Sequence, residues 1–177
     1  MEFDKLILER QSCRNYDGRM VEIEKLSKIV QDARLAPSAC NSQPWFLHVV
    51  TDPDKIKEVA SATRVFGANR HTEKAGAFIV LEEKLATLKE GVSKMVGSQH
   101  FAQIDMGILS AHIIMSATNN GLATCMIGLF DKNAVKKTLS LDKSAELKLV
   151  IAVGYASSDD KIRDKVRKPI EDVSNFI

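Results

Sequence analysis

Pro37-Ser38-Ala39-Cys40-Asn41-Ser42-Gln43-Pro44-Trp45 is the stretch around which this chain organises itself. Each proline pushes the residue before it toward extended geometry, so the segment between them is a rigid polar loop and not a helix. Trp45 to Val50, which follows, is rich in aromatic and β-branched residues and ends at Asp52-Pro53, a strand and a turn. Ahead of the loop, after the Asp17-Gly18 turn, Ile23, Leu26, Ile29, Val30 and Ala33 make the stripe of an amphipathic helix. Helix, polar loop and strand therefore succeed one another without a glycine-rich crossover.

Outward from this centre, Phe3, Leu6 and Ile7 place a helix from Phe3 to about Glu9. A short helix around Asp54 to Ala60 and a strand around Ala77 to Leu81 follow the first strand. Glu82 to Gln99 has helical composition interrupted by Gly91 and Gly97. From Phe101 to Thr118 apolar residues occupy most faces, which describes a buried helix, central in the domain or in a subunit interface. Asn119-Asn120-Gly121 offers it a left-handed cap. Leu122 to Ile127 reads as a strand, Asp131 can cap a helix through about Leu139, and Leu147 to Tyr155 is another long buried strand. Strands and helices interleave without a strict βαβ rhythm. The expected fold is α+β, a mainly antiparallel central sheet flanked by helices.

The bulk numbers set limits. At 177 residues, 45% apolar and 27% charged, residues 1–177 suit a single soluble domain. A formal net charge of +2 is too small to argue for nucleic acid. No apolar run approaches the roughly 18 to 20 residues of a membrane helix, and Met1-Glu2-Phe3-Asp4-Lys5 lacks the pattern of a signal peptide. Cys13, Cys40 and Cys125 are widely spaced, without a CxxC pair, which points to a reducing cytoplasm and away from a zinc site. The four histidines show no metal-ligand spacing.

Three segments carry chemistry. Arg10, Ser12 and Arg14, spaced by two in an extended stretch around Gln11 and Cys13, point the same way; two guanidiniums and a hydroxyl make a phosphate receptor. Lys161, Arg163, Lys165 and Arg167 alternate with Ile162, Asp164 and Val166, lining up cations far along the chain. Pro169-Ile170 and Phe176-Ile177 supply apolar anchors that a purely solvating tail does not need. The central loop concentrates amides and hydroxyls (Ser38, Asn41, Ser42, Gln43) against Trp45, the donors and acceptors that a flat heteroaromatic ring requires. Taken singly, each cationic cluster reads as solvated surface before it reads as a site.

Arg-x-Ser-x-Arg, then Pro-Ser-x-x-Asn-x-Gln-Pro-Trp, then Gly121-Leu122-Ala123-Thr124-Cys125-Met126-Ile127-Gly128, then Lys165-Val166-Arg167-Lys168-Pro169 together resemble the nitroreductase family of FMN enzymes. The resemblance spans almost the whole chain. It implies an intertwined α+β homodimer with FMN at the subunit interface, NADH or NADPH as hydride donor, and a small-molecule electron acceptor of nitroaromatic or quinone type, reduced by ping-pong transfer through flavin N5. Carried over, Arg10, Gln11, Ser12 and Arg14 would hold the ribityl phosphate with Lys165 and Arg167. Pro37, Ser38, Ala39 and Asn41 would approach the ring from the partner subunit, with Gln43 supporting the loop. Backbone at Ile127 and Gly128 would lie against the flavin edge. No side chain is expected to act as nucleophile or base.

Two departures stand out. Ala39 occupies a position where the family often has serine, and Glu82 to Gln99 is short for the excursion beside the substrate pocket. Phe66-Gly67-Ala68-Asn69-Arg70 lies where a segment could reach the pyrimidine end of the ring. Two other readings compete: a protein that binds FMN without turnover, and a thiol peroxidase using Cys13, whose neighbouring arginines would lower a thiol pKa. Asp105, a carboxylate on the apolar helix, is expected to be buried in a hydrogen-bonding or capping role, with proximity to the active site as the other reading.

Overall fold

A computed structural model describes all of residues 1–177. Its sheet has four strands, β1 (Trp45–Val50), β2 (Ala77–Glu83), β3 (Ala123–Ile127) and β4 (Glu146–Gly154), in the order β1-β2-β4-β3 with every pair antiparallel. Six α-helices flank it: α1 (Phe3–Glu9), α2 (Ile23–Ala33), α3 (Pro53–Thr63), α4 (Glu90–Val96), α5 (Ala102–Asn119) and α6 (Lys132–Thr138). The expected α+β antiparallel fold is what forms.

Alternation along the central strands explains the layering. Phe78, Val80, Val150 and Ala152 face one apolar cluster with Ile56 and Val59 of α3 and Val135 of α6. Ile79, Leu81, Ile151 and Val153 face a second with Leu26 and Ile29 of α2 and Leu109 and Ile113 of α5. A sheet buried on both faces needs apolar residues at successive positions, which is why β2 is buried from Ala77 to Glu82.

Local chemistry sets the boundaries. The Asp52 carboxylate accepts from the Asp54 and Lys55 amides, both at 3.0 Å, and Pro53 takes the first helical position of α3. Asp131 caps α6 in the same way through Asn133 and Ala134. Gly121, at φ +73°, ends α5, and the Leu122 amide returns to the Ala117 carbonyl at 2.9 Å. α3 runs three residues beyond its expected end, and β2 extends to Glu83. Beyond Glu83, the stretch to Gln99 yields only the short α4.

Within one chain α5 is buried along one side only. Met106, Leu109, Ile113 and Ala117 are buried, yet Ile104 is 59% exposed and Gly107 and Ala111 are open beside it. The tail is likewise open: Phe176 is 89% exposed, so the expected apolar anchors pack against nothing in their own chain.

Candidate functional site

The arm after α1 crosses the sheet edge beside β3. Ser12 bridges Thr124 in parallel, and the Cys13 amide donates to the Thr124 carbonyl at 2.8 Å. Extended alternation then buries Cys13 completely and leaves Ser12 and Arg14 on the outer side. The tail lies along this arm. The Arg163 amide donates to Gln11 Oε1 at 3.1 Å, while Gln11 Nε2 donates to the Lys161 carbonyl at 3.2 Å. Arg163 Nη2 donates to the Ser12 carbonyl at 2.5 Å, and Lys165 Nζ donates to the Arg10 carbonyl at 2.9 Å.

Arg10, Gln11, Ser12, Arg14, Lys165 and Arg167 thereby line one cleft of about 190 Å³, joined by Arg163 and Asp164. It contains no apolar side chain. Arg163 is neutralised by Asp160 at 2.9 Å, whereas the chain's other arginine ion pairs belong to Arg19 and Arg64. Arg10, Arg14, Lys165 and Arg167 stand without a paired carboxylate. Burial first, then the guanidiniums of Arg10, Arg167 and Arg163, hold the Lys165 ammonium below its usual range. The Arg10, Ser12 and Arg14 side chains donate no hydrogen bond within the chain. Crowded cations with unspent donors fit a phosphate, which would neutralise the repulsion and occupy the donors together.

The Pro37–Pro44 loop is built differently. It holds one tight turn at Ala39–Asn41, with Cys40, Asn41 and Gln43 in left-handed backbone (φ +53°, +53° and +48°). Non-glycine residues occupy that region at a cost and persist where the surroundings fix them. Here the Gln43 amide donates to Ser38 Oγ at 2.9 Å, Gln43 Nε2 to the Asn41 carbonyl at 3.0 Å, and the Thr87 amide to Ser42 Oγ at 2.7 Å. Gln43 thus supports the loop, as expected. Asp105, buried as expected, accepts from the Ala39 amide. Pro37, Asn41 and Gln43 are exposed and Ser38 and Ala39 half-buried.

One chain does not bring this loop to the cationic cleft. The loop runs into β1 at Trp45, whose partner Glu83 pairs with Glu146, while Ser12 bridges Thr124, whose partner is Val153. β1 and β3 are the two sheet edges. Three interstrand steps separate them by about 14 Å, and the register along β4 adds about 23 Å in the perpendicular direction.

On the cleft side, β3 ends at buried Ile127 and exposed Gly128. A side chain at Gly128 would meet nothing within 4 Å, and its amide makes no hydrogen bond in the chain. The Asp131 amide then donates to the Ala62 carbonyl at 2.8 Å, tying this loop to the end of α3. The segment beyond α3 carries Phe66, 94% exposed at φ +52°, and Asn69, whose Nδ2 donates to the Thr63 carbonyl at 3.0 Å. It ends at His71, whose ring packs on Tyr16 with centroids 6.4 Å apart and whose buried Nε2 has no partner. Burial, then Arg14, lower its pKa. Phe66–Arg70 therefore runs from the Gly128 side toward the cleft, a placement that motif spacing left open.

The Cys13 alternative fails. The residue is fully buried, its Sγ donates to the Asn15 carbonyl, and burial pushes the thiol up to about 12, the opposite of an activated thiolate. His48 pairs with Glu82 at 2.8 Å and His112 Nδ1 meets the Ile108 carbonyl, both structural roles. No cluster of three metal-ligating residues exists, and no helix is long and apolar enough to cross a membrane.

Comparison with known proteins agrees with this geometry. Residues 7–155 match the Nitroreductase family. The Bacillus subtilis (strain 168) protein YdgI, named as an NAD(P)H nitroreductase, is 25% identical over 99% of this chain and 97% of its own. The 4-nitrobenzoate reductase of Pseudomonas putida is 24% identical over 99% of this chain and 94% of its own. A crystal structure from Exiguobacterium sibiricum 255-15, described as a nitroreductase in complex with FMN, superposes with a TM-score of 0.85 over 100% of this chain and 98% of that one; at 21% identity that likeness speaks for the fold. With the match covering most of its length and the fold in agreement, this chain belongs to the Nitroreductase family and is an oxidoreductase.

Proposed function

We propose that the chain, one domain over residues 1–177, is an FMN-dependent NAD(P)H oxidoreductase that works as a cytoplasmic homodimer and reduces nitroaromatic or quinone-type acceptors. The observation that carries this reading is the cationic cleft. Arg10, Gln11, Ser12, Arg14, Lys165 and Arg167 meet there across the length of the chain, with more positive charge than its own carboxylates neutralise. These residues hold the ribityl phosphate. Pro37, Ser38, Ala39 and Asn41, braced by Gln43, reach the ring from the partner subunit. Their distance from the cleft of their own chain supports that assignment, as do the exposed apolar residues Ile104 and Phe176, which a second copy would cover.

When bound, FMN would supply the redox chemistry, hydride exchange between NADH or NADPH and the acceptor. The chain's part is binding, orientation and electrostatics. Ile127 and Gly128 offer backbone to the ring edge. The unspent Gly128 amide is a donor where negative charge develops, and its missing side chain leaves room for close approach. Donor and acceptor use one site in turn, which gives parallel-line kinetics. The Pseudomonas relative supports a nitroaromatic acceptor.

A visible absorption spectrum of the purified protein tests cofactor binding first. Repeated cycles of NADH or NADPH oxidation with a nitroaromatic then test turnover. Protein that cannot be loaded with FMN overturns the reading; loaded protein inert with every donor makes it a sequestering protein.

A further inference from the structure

We infer that Asp105 is a positioning residue for the ring end of the flavin site, acting through the backbone of Ala39; the inference rests on the reading that the Ser38–Gln43 loop contacts the flavin ring. Asp105 stands in the first turn of α5, 3% exposed, beside buried Ala102, Met106 and Leu109. A carboxylate in such surroundings is costly unless hydrogen bonds compensate it. Its side chain accepts from one group, the Ala39 amide, at 3.2 Å to Oδ1 and 3.3 Å to Oδ2. The helix N-terminus, which favours negative charge, offsets part of the burial.

The loop is what gains from this arrangement. Three of its residues, Cys40, Asn41 and Gln43, hold left-handed backbone without a glycine among them, so its shape has to be imposed from outside. The bonds from Gln43 to Ser38 and Asn41 shape the loop internally, and Ser42 links it to Thr87 in another loop. Asp105 is its side-chain attachment to the helical layer. Ala39 brings no polar side chain, so the placement of its backbone is its whole contribution. An apolar residue at position 105 would suit the second core cluster better, and a carboxylate there serves the amide it holds.

The test compares Asp105→Ala with Asp105→Asn, which keeps an acceptor for the Ala39 amide. Ala39→Pro removes the donor instead and leaves α5 intact; Ser38 is already extended (φ −144°, ψ 155°) as a residue before proline must be. Two readouts apply: thiol labelling of Cys40 in flavin-free protein, since Cys40 is exposed while Cys13 and Cys125 are buried, and FMN affinity by fluorescence quenching. Asp105→Ala and Ala39→Pro should each speed labelling and weaken FMN binding by about tenfold, with Asp105→Asn within about threefold of wild type in both. Asp105→Ala with unchanged labelling removes the anchor. Faster labelling with unchanged FMN affinity removes its role toward the flavin, and so does an Asp105→Asn variant as damaged as Asp105→Ala. Wild-type protein that binds no FMN sinks the functional reading itself, while labelling without flavin still judges the anchor.

Discussion

The two halves of the proposed site solve opposite problems. The cleft between the N-terminal arm and the tail is made of long cationic side chains in easy backbone, and its cost is electrostatic: Lys165 is desolvated by burial and then crowded by Arg10, Arg167 and Arg163. The Pro37–Pro44 loop has short uncharged side chains, and its cost is conformational, in Cys40, Asn41 and Gln43. A charged, freely rotating phosphate suits the first; a flat neutral ring needing fixed donors suits the second. Cleft and loop should therefore respond to different parts of one ligand.

The largest expected effect is on the cleft. Arg10→Ala with Arg167→Ala should weaken FMN binding at least about a hundredfold, since hydrogen bonds to charged groups contribute about 1.5–3 kcal/mol each. The variant should purify colourless and bind riboflavin, which has no phosphate, nearly as wild type does. Equal losses for both flavins would show that the cleft does not read the phosphate. A smaller effect is expected from Asn41→Ala, which puts a residue with no polar side chain into left-handed backbone at a cost of about 1–2 kcal/mol. Titration should show FMN and riboflavin weakened together, about tenfold, with their ratio preserved. A changed ratio would mean that loop and cleft are not separable.

The same contrast explains what was legible in the sequence. Cleft residues announced themselves because charge alternation in Lys161–Arg167 and in Arg10–Arg14 is a local pattern, and neither run is helical in the fold. Strands β2 and β4, the Asp131 cap and the Gly121 stop were readable for the same reason. The loop yielded its boundaries, set by proline, but not its conformation: no glycine marks Cys40 or Asn41 as left-handed, and the Asp105–Ala39 bond joins residues 66 apart. Strand order is equally non-local, so the separation of loop and cleft within one chain could not be seen. In α5, apolar composition is the same whether a face meets its own core, as at Leu109, or stands open, as at Ile104.

The smallest effect cuts across the comparison, because at Lys165 stability and binding should move in opposite directions. Its pKa in the folded chain lies below the ordinary ammonium value of 10.5, from burial first and then from neighbouring guanidiniums. The fold therefore disfavours the charged form. The penalty is fully present at neutral pH, and it fades as pH rises through the folded pKa toward the unfolded one. Lys165→Met should raise the melting temperature of flavin-free protein slightly, since it removes a charge that the fold disfavours. The same substitution should weaken FMN binding a few-fold. In wild type, FMN affinity should decline with rising alkalinity as the ammonium deprotonates, and this decline should be shallower in Lys165→Met. A variant that loses both stability and affinity would make Lys165 a structural strut through its bond to the Arg10 carbonyl; opposite signs would mark it as a charge kept for its ligand.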